Sequence, residues 1–217
     1  GGGCGGGGCA LPCFDARAAV LTGCVFEMQN FDGYKFTGAN FESAKLTRAS
    51  LRGVSAQQAS FRFGLLEMAQ LQDAALQGAD FSSALLKNSN LDNAYLSEAK
   101  MGGAIVAEAS LQGALFYGAD LEAADLTKVS AARADFTKAS LQFADFGGAD
   151  LRSAVFAMAD VTGVSFKDTD LTGVDFSHAK GLDSCDFTNA IGYTKPSPPK
   201  PTQQMVAELL KSVLPGR

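Results

Sequence analysis

The residues of this sequence that could do chemistry are a series of aspartates, a single histidine and five cysteines. The aspartates recur through the second half of the chain, at Asp120, Asp125, Asp135, Asp145, Asp150, Asp160, Asp170 and Asp175. Such a column of carboxylates could bind cations or form an acidic face. Asp also accepts hydrogen bonds from its own nearby backbone at turns. We favour the turn interpretation, and a functional acidic face is the alternative.

Nothing else in the sequence assembles a catalytic centre. His178 is the only histidine, and no nucleophile or ordered set of ligands accompanies it. The sequence has no P-loop and no dinucleotide-binding fingerprint, and its Gly-rich start lacks the strand–turn–helix context of a phosphate cradle. We therefore predict a protein that is not an enzyme and that binds no metal and no cofactor.

The composition argues against several classes of function. The formal net charge is −5 and the isoelectric point is about 4.9, so the chain is not suited to neutralising nucleic-acid phosphates. No apolar run approaches the roughly 20 residues of a membrane-spanning helix. The chain begins with Gly1 rather than Met, and we expect that any targeting segment has been removed.

The elements that position these residues are set by a repeat of five residues. From about residue 25 to residue 177 a large apolar residue returns at nearly every fifth position, as at Phe26, Phe31, Phe36, Phe41, Leu46 and Leu51. A small residue, usually Ala, stands two positions before most of these apolar centres. A period of five fits neither an α-helix nor a flat strand, whose apolar periods are about 3.6 and 2. A fixed-period repeat indicates a solenoid whose units must stack to bury their apolar sides.

Departures from the repeat support an inward orientation of both positions. Ala56 and Ala131 occupy apolar centres, and in both units the small residue two positions earlier is enlarged, to Val54 and Val129. Volume moves from one inward position to the other, as close packing demands. The register slips by one residue near the C-terminal end, where we expect Gly181 to be an extra residue that bends the last coil.

The repeat resembles that of the pentapeptide repeat family, whose unit is A-(D/N)-L-X-X centred on Leu or Phe. Segments 39–41, 79–81, 119–121, 134–136 and 149–151 match it closely. The resemblance implies an all-β solenoid, a right-handed quadrilateral β-helix with about twenty residues per coil and about eight coils. Asp or Asn before the centre is part of the family pattern.

The chain divides into five expected segments. They are a Gly- and Cys-rich flexible arm at 1–10, an N-terminal cap or degenerate first coil at 11–24, the β-helix at 25–192, a Pro-rich linker at 193–201 and a short amphipathic α-helix at 202–214. We expect the helix to cap the open C-terminal end of the β-helix, which would otherwise expose apolar surface. The alternative is a dimer formed through the same helix, so the chain is predicted to be a monomer or such a dimer.

The cysteines do not show the spacing of zinc ligands. Cys24 and Cys185 fall in inward small-residue positions at opposite ends of the rod, too far apart for a disulfide. We predict a disulfide between Cys13 and Cys24 that closes the N-terminal cap in an oxidising compartment, and two reduced thiols are the alternative. Cys185 is expected to be a buried substitute for Ala.

Assigning faces by the expected coil gives the candidate binding site, an apolar stripe. It consists of Val25, Met28, Leu65, Met68, Leu85 and Ile105. Three of these residues take the same outward position, normally polar, on successive coils of one face. A contiguous exposed apolar stripe marks a contact surface, unless the N-terminal arm, the linker or the terminal helix covers it. Tyr95 with Leu115, and Phe63 with Phe143, form weaker patches on two other faces.

These features predict a non-catalytic structural or scaffold protein that presents β-helix faces to a protein partner. The Pro-rich linker, C-terminal helix and N-terminal cysteines are similar to those of family members in the chloroplast thylakoid lumen. That resemblance implies the same compartment, and a partner such as a photosynthetic membrane complex. The alternative is a DNA mimic, because some bacterial members of the family inhibit DNA gyrase with a rod of similar length. We predict no nucleic-acid partner and no transmembrane segment.

Overall fold

The structure, a computed structural model, describes residues 14–193. Parallel single-residue bridges join its backbone, each between a residue and the one twenty positions later, from Asp15–Lys35 to Asp160–Lys180. Within these residues no strand is longer than one bridged residue, and the one helix is a 3₁₀ turn at Leu182–Ser184. Four five-residue units therefore make one coil of a parallel β-helix. About nine coils stack into a rod ~40 Å long.

The five-residue units that have another coil stacked on their C-terminal side share one pattern of backbone hydrogen bonds. In the unit centred on Phe26, the Phe26 amide donates to the Lys45 carbonyl at 2.7 Å and the Met28 amide to the Thr47 carbonyl at 3.0 Å. The Lys45 amide donates in the other direction, to the Cys24 carbonyl at 2.8 Å. Among the described residues, the amide directly after each apolar centre makes no backbone hydrogen bond. This one amide per unit needs a different acceptor or water.

The core of the rod consists of the apolar centres and the small residues two positions before them. From Phe36 to Leu171 members of both sets are buried. Aromatic rings of successive coils stack, as in the series Phe41, Phe61 and Phe81, where ring centroids lie 5.0 and 4.7 Å apart. The core is thus a set of columns that run along the rod, each continued by the next coil.

The two units with Ala at the apolar centre follow the predicted exchange of volume. Val54 and Ala56 are both fully buried, and so are Val129 and Ala131 to within 1%. Both positions of each unit therefore point into the core, which confirms the inward assignment.

Each unit turns at the residue two positions after its centre, where the backbone is left-handed. Met28 has φ +57° there and Met68 has φ +58°. A left-handed backbone is unfavourable for β-branched side chains, and no Val, Ile or Thr has a positive φ among the described residues. Side chains at these corners project from the rod, so Met28 and Phe63 are exposed.

One inserted residue interrupts the period near the C-terminal end. The bridge spacing changes from twenty, at Asp160–Lys180, to twenty-one, at Ser165–Asp186. Gly181 lies in this interval with φ +83°, and a Cβ there would stand 2.5 Å from the Thr162 Cα and amide nitrogen. The predicted extra residue is confirmed, and the site accepts only glycine without a shift of the neighbouring coil.

Several predictions fall outside the described residues. They are the arm at 1–10, the Cys13 half of the predicted disulfide, the linker after Tyr193 and the helix at 202–214. At the other end, bridges already include Asp15 and Val20, so residues 15–24 continue the ladder of the β-helix. Within residues 14–193 no helix has the length and apolar character needed to cross a membrane.

Candidate interaction surface

The stacked coils bring the predicted stripe together on one face. We number the faces 1 to 4 in chain order, and face 1 is the one centred on Phe26, Leu46, Leu66, Leu86, Val106 and Leu126. On this face the residues before the centres are joined by consecutive bridges, in the order Val25, Lys45, Leu65, Leu85, Ile105 and Asp125. Leu65, Leu85 and Ile105 therefore form a continuous column, and Lys45 separates them from Val25.

The six residues of the apolar stripe differ in how exposed their side chains are. Val25 is 60% exposed, Met28 70%, Met68 42% and Ile105 39%, whereas Leu65 and Leu85 are partly buried. The two leucines lie close against the rod, and the corner methionines stand beside them. The centre of the stripe is therefore less exposed than the sequence predicts, because each side chain in the column packs against the one on the next coil.

A shallow groove follows the corner of face 1. Its volume is about 330 Å³, and it is lined by Glu27, Met28, Thr47, Arg48, Leu65, Glu67 and Met68. Arg48 lies between the two methionines, with its Nε 3.3 Å from the Met68 Sδ. The groove thus combines thioether and aliphatic surface with charged ends, a combination suited to a protein contact.

Charged side chains border the stripe, and the sequence analysis did not single them out. Lys87 Nζ lies 3.3 Å from Glu108 Oε1, and Thr47 Oγ1 donates to Glu67 Oε2 at 3.4 Å. Arg48 occupies the corner one coil below Met68. The sequence shows that these charged residues follow the apolar centres of the same face. That they border the stripe becomes visible only when residues at equivalent positions of successive coils are aligned.

The predicted aspartate series acts on the backbone. All eight aspartates accept a hydrogen bond at Oδ1 from the amide two residues later, as Asp135 does from Thr137 at 2.8 Å and Asp145 from Gly147 at 2.8 Å. This is the amide that lacks a backbone acceptor. Asn30, Asn40 and Asn90 accept the same bond. The turn interpretation is confirmed, and each of the eight aspartates caps one amide of its own unit.

Hydrogen bonding also shifts the titration of several of these carboxyls. The side-chain bond from Arg152 holds the pKa of Asp150 below its ordinary value, although partial burial opposes the shift. The Thr162 hydroxyl does the same for the pKa of Asp160. Both groups favour the ionised form that accepts the capping bond. No group of His, Cys, Asp and Glu arranged to hold a metal ion occurs among the described residues.

Four of the six residues of the apolar stripe, Val25, Leu65, Leu85 and Ile105, occupy the position from which Asp or Asn accepts this bond. Leu65, Leu85 and Ile105 stand where Asp or Asn would accept from the amide two residues later. The amides of Glu67 and Lys87 make no hydrogen bond to another described residue. The missing cap is shared with face 3, which lacks it on five successive coils from Lys35 to Leu115. What distinguishes face 1 is that three successive coils carry Leu or Ile at this outward position.

The two weaker patches differ in extent. Tyr95 and Leu115 are bridged neighbours on face 3, and exposed Tyr117 and Met158 lie on the same face. Phe63 and Phe143 are exposed at corners of face 4, but four coils separate them. Face 3 thus carries the larger of the two patches, on the side of the rod opposite face 1.

The cysteines and the histidine offer no reactive centre in the described part of the chain. Cys24 is buried in its small-residue position. Cys185 is a free, partly buried thiol whose Sγ donates to the Val161 carbonyl at 3.1 Å. Burial raises the pKa of Cys185 to about 11, so the thiol stays protonated at neutral pH. His178 is exposed at a corner with φ +57°.

Comparison with known proteins gives a family match. A family model described as pentapeptide repeats matches in eight copies, at residues 35–64 and, through overlapping matches, across 69–191. No curated protein matches the sequence.

Among solved structures, a trypsin-treated form of QnrB1, a plasmid-mediated fluoroquinolone resistance protein, aligns with a TM-score of 0.58 at 20% identity, over 92% of this chain and 97% of that one. HetL, a pentapeptide repeat protein involved in heterocyst differentiation in the cyanobacterium Nostoc sp. strain PCC 7120, is 19% identical over 84% of this chain and 92% of its own, with a TM-score of 0.46. A pentapeptide repeat protein from the Arabidopsis thaliana thylakoid lumen is 33% identical over 47% of this chain and 64% of its own, with a TM-score of 0.24.

Proposed function

Because this chain belongs to the pentapeptide repeat family, we propose that it is a non-catalytic interaction protein that binds a protein partner through the apolar stripe on face 1. In a rod of stacked coils the core is filled by side chains, so its faces and the shallow grooves at their corners are the surfaces that it offers. Recognition of a flat face depends on which outward residues replace the usual polar ones. On face 1 the replacements are apolar and adjacent.

The observation that carries this proposal is the unbroken column of Leu65, Leu85 and Ile105, which are bridged neighbours at an outward position that is polar in most units. Asp or Asn at the positions of Leu65, Leu85 and Ile105 would accept from an amide that has no backbone partner, a bond that contributes about 0.5–1.5 kcal/mol. The chain instead has apolar side chains at these positions, which cannot accept this bond and which leave Ile105 exposed and Leu65 and Leu85 partly exposed. A contiguous apolar column on the outside of a fold marks a contact surface.

The compartment and the termini are part of the same proposal. We place the protein in the thylakoid lumen on the resemblance of its Pro-rich linker and N-terminal cysteines to family members found there. A disulfide between Cys13 and Cys24 suits an oxidising compartment of this kind. We also propose that the segment 202–214 forms a helix that caps the last coil.

Affinity capture from chloroplast lysate tests the proposal. Immobilised wild type is compared with the triple variant L65D/L85D/I105D and with a matched control, Y95D/L115D on face 3. Circular dichroism confirms that each variant is folded. We expect the triple variant to lose a protein that the wild type and the control both retain, because carboxylates in the column would have to be desolvated on binding.

Identification of the retained protein by mass spectrometry is followed by direct binding to the purified partner. Equal retention by the wild type and the folded triple variant would contradict the proposal. Loss from the face 3 control alone would move the contact surface to Tyr95 and Leu115.

A further inference from the structure

The charges that border the apolar stripe are arranged so that face 1 complements a reversed copy of itself. We propose that the partner of the stripe is a second copy of this chain, packed antiparallel with face 1 against face 1. This inference rests on the proposed function, because it names the partner of the same surface.

A two-fold axis lying in the plane of contact, across the rods, reverses the order of the coils. Residues at one position of the repeat form a row along the rod, and this axis places each row over the same row of the second copy. Placing the axis midway between Leu65 and Leu85 sets each of these leucines against the other. The most apolar part of the column then lies at the centre of the contact, where exclusion of water matters most.

This register also pairs the bordering charges. Glu67 lies over Lys87 of the second copy, and Arg48 lies over Glu108. Two-fold symmetry repeats both pairs, so four opposite-charge pairs surround the leucines. The remaining opposed pairs are Val25 with Asp125, Lys45 with Ile105, Glu27 with Thr127, Thr47 with Ala107, Met28 with Lys128, and Met68 with Asn88. No like charges meet, and the aliphatic stem of Lys45 can cover Ile105.

Neighbouring registers are less favourable. An axis through Leu85 opposes Lys87 to itself and Arg48 to Lys128, and an axis through Leu65 opposes Glu67 to itself. An axis between Leu85 and Ile105 brings no like charges together, but it sets Leu65 against Asp125 and moves its opposite-charge pairs to the ends of the contact. A two-fold axis along the rods keeps the order of the coils but exchanges the row before the centres with the row after them, which sets Leu65 against Glu67 and Leu85 against Lys87. Only the register between Leu65 and Leu85 places opposite charges beside an apolar centre.

The size of this contact predicts a reversible dimer. The overlap from residue 25 to residue 128 spans six coils, or ~29 Å at ~4.8 Å per coil. A contact of that length that is one five-residue unit wide lies below the ~1,200–2,000 Å² that stable specific interfaces bury. We therefore expect the dimer to form at high concentration and to dissociate on dilution.

Sedimentation analysis of charge-reversed chains tests the register. The full chain is studied without reductant, and electrophoresis under non-reducing conditions checks that no disulfide links the copies. E67K and K87E each set like charges against one another at two places in the dimer, and each should weaken self-association about tenfold or more. In an equimolar mixture of E67K and K87E both contacts regain opposite charges. The mixture should therefore recover dimers close to the wild-type level, while E98K, on face 3, should dimerise like the wild type.

Three outcomes would overturn the inference. They are a wild type that remains monomeric at the highest concentration reached, single variants that dimerise like the wild type, and a mixture that does not recover. If the wild type is monomeric and captures another protein that the variant L65D/L85D/I105D does not capture, the second copy is refuted as the partner. The proposed function then remains intact. A dimer that the folded triple variant preserves, together with unchanged capture, would refute both.

Discussion

At the residue scale, the position before each apolar centre has two uses that exclude each other. Asp or Asn there caps the one amide of the unit that has no backbone acceptor, as Asp145 caps Gly147. An apolar residue there gives an outward contact and no cap. The sequence was sufficient to favour the turn role of the aspartates, because Asx residues bond the backbone two residues on. It could not reveal that an aspartate also caps from the preceding coil, as Asp32 does by accepting from the Arg52 amide at 3.0 Å, since that depends on how the coils stack.

Substitution of Asp135 separates the hydrogen bond from the charge. D135A removes the acceptor of the Thr137 amide, which lies 2.8 Å away, and should lower the free energy of unfolding by about 0.5–1.5 kcal/mol. D135N keeps an oxygen in place and should retain most of that stability. Urea denaturation followed by circular dichroism measures both. Equal losses in the two variants would show that the carboxylate charge, rather than the cap, is the stabilising feature.

At the scale of the coil, the inward positions could be read from the sequence and the outward ones only in part. The five-residue period fixes which side chains are buried, because an apolar centre and a small residue must share the interior of each unit. The left-handed corners are harder to predict, because their only sequence feature is the absence of β-branched residues two positions after the apolar centres. The partial burial of Leu65 and Leu85 could not be predicted, since it depends on how neighbouring coils pack.

The unit at Val54 and Ala56 tests this exchange of volume. V54A leaves two alanines facing the core, and the void should lower the free energy of unfolding by roughly 1.5–3 kcal/mol. The double variant V54A/A56L moves the volume to the centre, as in the ordinary repeat, and should recover at least half of the loss. Thermal and urea unfolding measure both variants. A double variant less stable than V54A would show that this coil cannot accept a large centre.

At the scale of the whole molecule, the rod presents four faces with different surfaces. Face 1 carries the apolar stripe and face 3 the patch around Tyr95, on opposite sides of the core. The fold and its family follow from the repeat, whereas the use of each face depends on residues that the repeat leaves free. For that reason structures of low identity that share the rod do not specify its partner.

A count of charge over the whole rod argues against a DNA mimic. Duplex DNA carries one negative charge per ~1.7 Å, so a mimic ~40 Å long would need about 24 unbalanced negative charges. This chain has 23 Asp and Glu against 18 Lys and Arg, for a net charge of −5. Many of its aspartates are also held against the backbone as turn caps. We therefore expect no inhibition of DNA gyrase supercoiling at micromolar protein, with an inhibitory member of the family as positive control. Inhibition at that concentration would mean that the aspartate column acts as a local acidic surface despite the low net charge. The variant D135N, which keeps the capping oxygen but removes a charge, would then weaken the inhibition.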